Sequence, residues 1–244
     1  DLNGHTLKIG TIRVSDADSS ANTAALYLGY NVSLTLTDTA GNGSIDASNA
    51  DDLTVPVGAM RDGSTLTVER GTIIVDTDRE SCVFAMGGGK IVITGGTFIN
   101  NCTSEYAYGG GRPLTVNIEN NSTSTIDITG GTFKGRNPMS GDDNTDVAFV
   151  SKDSKVVEYK DGNMTVVGKD TEVTGEDIVA VYTYADNEAG DTVATVYTED
   201  TLRAALADKN YDTVVLGADI GNASETFVID RPVTLDLNGY TLEN

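Results

Sequence analysis

The sequence has no tryptophan, one histidine, four prolines and two cysteines. No apolar run approaches the roughly 20 residues of a membrane-spanning helix, so insertion into a membrane is not expected. A Ser-His-Asp arrangement, a phosphate-binding glycine loop and zinc-ligand spacing are all missing. Basic residues are few, 16 Lys and Arg against 37 Asp and Glu, for a net charge of −21. This sign is the opposite of what a general nucleic-acid binder needs.

The two ends of the chain carry nearly the same nine residues. It opens with Asp-Leu-Asn-Gly-His-Thr-Leu-Lys-Ile and closes with Asp-Leu-Asn-Gly-Tyr-Thr-Leu-Glu-Asn. Self-similarity at a fixed period is the signature of repeat architectures. The repeat predicts either a slice of a tandem array or a subunit whose end resembles the start of its neighbour. The assembly contacts predicted on this basis are Asp1, Leu2, Leu7, Ile9, Leu235, Leu237 and Leu242.

A shorter pattern recurs inside the chain. It reads apolar, any residue, apolar, three of any residue, Thr, apolar. Each copy is an alternating run, a Gly or Asn turn and a second short run, which predicts two strands and a bend. Four copies fit every position: Leu66, Val68, Thr72 and Ile73; Ile91, Ile93, Thr97 and Phe98; Ile126, Ile128, Thr132 and Phe133; Leu235, Leu237, Thr241 and Leu242.

These copies predict an all-β fold, a right-handed parallel β-helix. A helical solenoid is disfavoured because no unit carries paired stripes of period 3.6. One coil cannot bury its own apolar face, whereas stacked coils share a core. The Thr at the fixed position would form a ladder of its own, since β-branched residues suit a pleated surface. The alternative is a β-sandwich with ordinary hairpins.

One short α-helix is predicted near the end of the chain. Residues 199–207 place Leu202, Ala205 and Leu206 on one face, with Thr198 as the N-cap. Short strands follow at 213–216, 227–229 and 233–237. A helix that leads into short strands is typical of the cap that opens a β-helix. We therefore expect the tail of one unit to start the β-helix that continues in the next, in a head-to-tail contact that favours filaments. The alternative is a boundary within a multidomain protein.

Three segments follow from these patterns. Residues 1–140 are expected to form the β-helix coils, and residues 141–195 a small β module or C-terminal cap. Residues 196–244 are expected to hold the capping helix and the first strands of a following β-helix, completed by a neighbouring subunit.

The cysteines and the overall composition bear on the compartment. Cys82 and Cys102 have similar surroundings, which would bring them close on successive coils. A disulfide in an oxidising compartment and two thiols in a core are both compatible with this spacing. Abundant Thr, Ser, Asn and Gly are typical of secreted β-rich proteins, and the lack of an initial methionine is typical of a processed or excised chain.

The coil pattern and the capping helix resemble the pectin-lyase-like superfamily of parallel β-helices. The Gly-Gly-Thr-Phe and Leu-Asp-Leu-Asn-Gly-Tyr-Thr-Leu segments more closely resemble repetitive surface proteins of gut Firmicutes and virion proteins of their phages. The second resemblance implies a non-catalytic protein, whereas the first includes pectate lyases, polygalacturonases and tailspike depolymerases. Fold alone does not decide between them.

The resemblance to enzymes implies that carboxylates could form a catalytic or a metal site. The carboxylates of a polygalacturonase-like site must frame a sugar, but Asp142, Asp143 and Asp146 lie in one loop. His5, the only histidine, is replaced by Tyr240 in the repeat, which indicates a turn residue. Structural calcium is the cofactor alternative, since Asp pairs supply the oxygens it prefers. Its candidate ligands are Asp76, Asp78, Asp142, Asp143 and Asp146, although the adjacent Arg79-Glu80 is typical of a solvated loop.

A tyrosine-rich loop is the candidate ligand-binding site. Glu105, Tyr106, Tyr108 and Arg112 could hold a sugar, and Tyr27 and Tyr30 are a further close pair. Rings that merely cover the flank of the core are the alternative. The sequence thus predicts a non-catalytic, extracellular structural protein that assembles with itself on a cell or virion surface. A carbohydrate-binding or carbohydrate-cleaving β-helix is the alternative function.

Overall fold

A computed structural model describes residues 1–10, 23–50, 54–103, 113–119, 122–139, 149–185, 191–221 and 225–243. The chain packs as two units, Asp1–Ser151 and Lys152–Asn244. Across the described residues the structure is mostly β, with one short helix, as expected from the sequence. None of the helical segments described is long and apolar enough to cross a membrane.

Unit 1 is built of short strands that stack in parallel. Along the chain they are β1 (Thr6–Lys8), β2 (Thr23–Leu28), β3 (Ser33–Leu36), β4 (Ser44–Asp46), β5 (Thr54–Ala59), β6 (Thr65–Val68), β7 (Thr72–Val75), β8 (Val83–Ala85), β9 (Lys90–Ile93), β10 (Thr97–Asn100), β11 (Val116–Ile118), β12 (Thr125–Ile128) and β13 (Gly131–Lys134).

The strands of unit 1 fall into three sheets. Sheet A orders them β1-β4-β7-β10-β13, sheet B β2-β5-β8-β11 and sheet C β3-β6-β9-β12. The pairs within these sheets are parallel. The chain therefore visits sheets B, C and A in turn and repeats the circuit. This arrangement is consistent with a parallel β-helix.

The recurring sequence pattern is a set of ladders in register. Thr97 of β10 pairs with Thr72 of β7 and with Thr132 of β13. The next position places Phe98 on Phe133, and both rings are fully buried. Their centroids lie 5.0 Å apart at an interplanar angle of 7°. Leu66, Ile91 and Val68 of sheet C are also fully buried, so the apolar positions of the pattern form the core.

The paired glycines are needed where the chain bends from sheet C to sheet A. A Cβ on Gly95 would lie 2.2 Å from the backbone oxygen of Glu69, closer than van der Waals contact permits. Gly96 has φ +89°, a conformation that glycine adopts readily. The pair at 130–131 meets the same two conditions. The bends predicted at both pairs are thus explained by close stacking of one turn on the next.

Unit 2 combines antiparallel and parallel strands in one mixed sheet. Its elements are β14 (Ser154–Tyr159), β15 (Asn163–Gly168), β16 (Ile178–Tyr184), β17 (Thr192–Val196), α1 (Glu199–Ala207), β18 (Thr213–Leu216) and β19 (Thr234–Asp236). The order within this unit is β15-β14-β16-β17-β18-β19. The first three pairings are antiparallel, and β17, β18 and β19 pair in parallel.

Helix α1 has the bounds and the cap predicted for it. The Thr198 hydroxyl accepts a hydrogen bond from the Thr201 amide, and the Thr201 hydroxyl reaches back to the Thr198 backbone. Glu199 and Asp200 lie in the first turn, where the helix dipole favours negative charge. The predicted apolar face is buried. The strand predicted at 227–229 is not formed, since no strand pairs with these residues in the part of the chain described.

Candidate assembly interface

Large apolar side chains face solvent only at the two ends of the described chain. One group lies within residues 7–32 and the other within residues 228–240, and the described residues between them expose none. Contiguous exposed apolar patches mark interaction sites, and each group is a candidate for one. The first group is Leu7 (44% exposed), Tyr27 (48%), Tyr30 (67%) and Val32 (46%); the second is Val228 (70%), Ile229 (51%), Leu237 (45%) and Tyr240 (40%).

The first group of exposed side chains lies in or between the strands that form the open edges of unit 1. Strands β1, β2 and β3 are the outermost strands of sheets A, B and C in unit 1. Their outer edges pair with no other strand of that unit among the described residues. An open parallel edge presents backbone donors and acceptors to any further strand. Further strands can therefore pair with this end of unit 1, one on each of the three sheets.

Residues 1–9, here called the opening segment, are held by the loop that follows β3. The Leu2 amide donates to the backbone oxygen of Thr37 at 2.9 Å. The Asp1 carboxylate accepts from the Thr39 amide at 3.1 Å and from its hydroxyl at 2.9 Å. Asp1 and Leu2, both predicted contacts, thus already bind within the chain.

Asp38 fixes the turn of the opening segment. Its carboxylate accepts from the Gly43 amide at 2.6 Å and from the Gly4 amide at 2.8 Å. The Gly43 bond, joined by that of Gly4, holds the pKa of Asp38 below its ordinary value. Further along, the Thr6 hydroxyl lies 2.9 Å from that of Ser44, its partner in β4. The opening segment therefore occupies a site with specific polar contacts.

Residues 225–243, here called the closing stretch, are bound to helix α1. Arg203 donates to Glu199 from Nε at 2.9 Å and from Nη2 at 2.7 Å. The same guanidinium donates to the backbone oxygen of Thr226 at 2.9 Å and lies 4.4 Å from the ring centroid of Phe227. One side chain thus anchors the start of the closing stretch to the helix.

A second arginine, Arg231, binds the C-terminal end of the helix. Its guanidinium donates to the backbone oxygens of Ala205 at 2.8 Å, Leu206 at 2.9 Å and Tyr211 at 2.7 Å. A cation is stabilised at this end by the helix dipole and by carbonyls that lack helical partners. The closing stretch is exposed yet held in place, which is the condition for a preorganised binding surface.

The two repeated ends adopt the same turn. Asn3 and Asn238 both have φ 47°, and the glycines that follow have φ 78° and 80°. Matching hydrogen bonds close the two turns: His5 N to Leu2 O at 2.9 Å and Asn3 N to Asp1 Oδ1 at 2.9 Å, against Tyr240 N to Leu237 O at 2.8 Å and Asn238 N to Asp236 Oδ1 at 2.8 Å. The sequence repeat is therefore a structural repeat.

The structure describes only some of the other predicted site residues. Glu105, Tyr106, Tyr108 and Arg112 of the tyrosine loop and Asp142, Asp143 and Asp146 of the acidic loop lie outside the described residues. Asp76 is exposed, and Asp78 is half-buried with its Oδ1 3.8 Å from Arg79 Nε. In the part of the chain described, no three His, Cys, Asp or Glu side chains gather as metal ligands would.

The two cysteines are thiols in this structure, and among the described residues they form no disulfide. Cys82 is fully buried, and its Sγ donates to the backbone oxygens of Ile99 at 3.4 Å and Ile73 at 3.6 Å. Burial raises the pKa of the Cys82 thiol. Cys82 is therefore a core residue, whereas Cys102 is half-buried.

Sequence reasoning missed Glu80, for which it indicated a solvated loop. Its neighbour Arg79 is exposed, but Glu80 is only 6% exposed. Burial raises the pKa of the Glu80 carboxyl to about 7. Asn100 holds the surrounding loops together, since its amide donates to the backbone oxygens of Thr77 at 3.0 Å and Leu114 at 2.9 Å. Because these loops are far apart in the sequence, no short sequence pattern predicts the contacts between them.

Comparisons with protein-family models, curated proteins and solved structures give no match to this chain.

Proposed function

We propose that this chain is a non-catalytic structural module. Unit 1 is a right-handed parallel β-helix related to the pectin-lyase-like superfamily, and its strand stack is continued by a second copy of the chain. Repetition of this contact gives a head-to-tail filament on the outside of a cell or virion. Acidic composition and abundant Thr, Ser, Asn and Gly support an extracellular place, and the sequence resemblance to surface and virion proteins supports it too.

One observation carries the proposal: the exposed large apolar side chains of the described residues lie only within residues 7–32, near the open strand edges of unit 1, and within the closing stretch. The outer edges of β1, β2 and β3 pair with no other strand of unit 1 among the described residues. The closing stretch of a second copy covers these edges. Because the two surfaces differ, the contact does not close on itself and propagates.

A structural role also accounts for the position of the one histidine, His5. His5 is an exposed turn residue, and Tyr240 takes its position in the repeated turn. The identity of this residue therefore changes while the turn is retained, as expected of a surface position and not of a general acid or base.

Replacing Val228 by aspartate is expected to disrupt assembly of the intact chain. Val228 is 70% exposed, so the substitution leaves folding unaffected. Loss of the apolar contact and addition of a charge weaken self-association about tenfold or more. Sedimentation velocity over a concentration series, with electron microscopy of the same samples, measures the effect.

The matched control is Thr125→Asp, which adds the same charge at an exposed position of β12, outside both groups of exposed apolar side chains. We expect this variant to assemble like the unaltered chain. A monodisperse, monomeric intact chain at the highest concentration measured would contradict the proposal, as would equal weakening by both substitutions.

Glycan binding is the second candidate function, favoured by one exposed aromatic group. The guanidinium of Arg61 lies 5.6 Å from the ring centroid of Tyr27 and 6.0 Å from that of Tyr30. Exposed rings beside a cation suit stacking and hydrogen bonding to a sugar. A glycan array probed with the chain and with Tyr30→Ala tests this candidate. Signals that persist in the variant exclude this group as the binding site.

A further inference from the structure

The opening segment binds unit 1 through one edge of its strand. The backbone oxygen of His5 accepts from the Ser44 amide at 3.0 Å, and the Ile9 amide donates to the backbone oxygen of Asp46 at 2.8 Å. Alternate residues of a strand direct their backbone groups to opposite edges. The edge used here is therefore that of residues 5, 7 and 9.

Residues 236–243 bind their own unit through the opposite edge. The backbone oxygen of Thr241 accepts from the Ile220 amide at 2.9 Å, and the Glu243 amide donates to the backbone oxygen of Ile220 at 2.9 Å. In the repeat, Thr241 and Glu243 correspond to Thr6 and Lys8. These positions alternate with those that the opening segment uses. In residues 236–243, the strand edge that corresponds to the one by which the opening segment binds β4 therefore faces away from Ile220.

Three residues of the opening segment that contact the rest of unit 1 are retained in its repeat. The Asp1 carboxylate, the Gly4 amide and the Thr6 hydroxyl make hydrogen bonds to unit 1, whereas Ile9, whose amide also does so, is replaced by Asn244. Two of the positions that differ, His5 and Lys8, are exposed. The three contact residues recur as Asp236, Gly239 and Thr241. Residues 236–243 can therefore make the same contacts on unit 1 of another copy.

The closing stretch fits beside the open edges of sheets B and C. The spacing from Ile229 to Thr234 equals that from Leu28, the last residue of β2, to Ser33, the first residue of β3. Residues 227–236 of one copy can thus lie along β2 and β3 of the next. The chain then continues into residues 236–243, which reach the place beside β4 where the opening segment of that next copy lies.

Two segments cannot occupy one place. We infer, on the basis of the proposed assembly, that residues 236–243 of one copy replace the opening segment of the next copy on β4, so that copies join by segment exchange. The contacts predicted for Leu2 and Leu7 are then made by Leu237 and Leu242. The opening segment acts as an intramolecular competitor, and it limits assembly as long as it stays bound.

One position of the exchanged segment fits less well. Lys8 pairs with Asp46 in the register of β1 on β4. Hydrogen bonds from Ser48 lower the pKa of Asp46, and the Lys8 ammonium adds to this effect. Glu243 takes the position of Lys8 after exchange and sets a second carboxylate beside Asp46. Like charges on adjacent strands are unfavourable.

The test is a variant that lacks residues 1–9. Exchange predicts that its self-association is tighter than that of the intact chain, with an apparent Kd lower by about tenfold or more, because the binding-competent state is no longer a minor population. Addition of a synthetic peptide with the sequence of residues 1–9 is expected to reverse this gain. Simple stacking of the closing stretch on the opening segment predicts the contrary, a weaker association, because its binding surface is removed.

Glu243→Lys is the second variant, which leaves both segments in place. Its apparent Kd is expected to fall about two- to fivefold, since repulsion from Asp46 becomes attraction. If the intact chain assembles and neither variant associates more tightly, exchange is wrong and head-to-tail assembly stands. If the intact chain and both variants are monomeric, the proposed function is wrong as well.

Discussion

Replacing Phe98 by alanine is expected to lower the free energy of unfolding by about 3–5 kcal/mol. Phe98 is fully buried, stacks on Phe133 at 5.0 Å and pairs with Ile73 on the other side. The neighbours belong to separate strands of a ladder and cannot close around the lost ring, so a cavity remains. Urea unfolding followed by circular dichroism measures the change.

The matched control lies on the same strand. Ile99 is half-buried and points to the opposite face of β10, so Ile99→Ala is expected to cost only about 1 kcal/mol. In the variant that lacks both rings, the loss is expected to be smaller than the sum of Phe98→Ala and Phe133→Ala, since the rings contact each other. Equal losses of unfolding free energy in Phe98→Ala and Ile99→Ala would contradict a core built from ladders of buried side chains.

The ladders were predictable because one polar residue type marks their register. Thr72, Thr97 and Thr132 recur at the same distance after an alternating run, and each circuit must repeat the bend before it. The helix at 199–207 was predictable for a local reason, its cap at Thr198 and its acidic first turn. Such signals lie within a few residues of the element they specify.

Features that depend on distant neighbours were not predictable. Residues 227–229 have the apolar composition of a strand, but a strand also needs a partner, and β-propensity alone does not supply one. Arg203 and Arg231 were overlooked because they join the helix to residues more than twenty positions away. The repeat of the ends was visible in the sequence, whereas only the folded chain shows that the two repeated segments bind through opposite strand edges.

The burial of Glu80 was also not predictable from the sequence, and it has a large expected effect on stability. Replacing Glu80 by glutamine is expected to stabilise the chain at pH 8 by about 3 kcal/mol relative to its effect at pH 4. Burial raises the pKa of this carboxyl from 4.5 to about 7. Glutamine keeps the shape of the side chain and cannot ionise, so it removes the cost of a buried charge.

The sign follows from the protons bound in each state. Below pH 4.5 the Glu80 carboxyl is protonated in both the folded and the unfolded chain, and it contributes no pH dependence. Between pH 4.5 and about 7 the unfolded chain releases this proton while the folded chain retains it, so stability falls as pH rises. Above pH 7 both states are ionised and the loss is complete. The glutamine variant lacks this decline.

Urea unfolding at pH 4, 6 and 8 measures the difference between the two chains. The matched control is Glu69→Gln, which removes the same charge from an exposed position of unit 1. Because the chain carries a net charge of −21, removal of any one carboxylate relieves some general repulsion, and this control measures that contribution. The effect attributed to Glu80 is the excess over it. Identical pH profiles for the two glutamine variants would show that Glu80 is hydrated in solution and that its carboxyl is not buried.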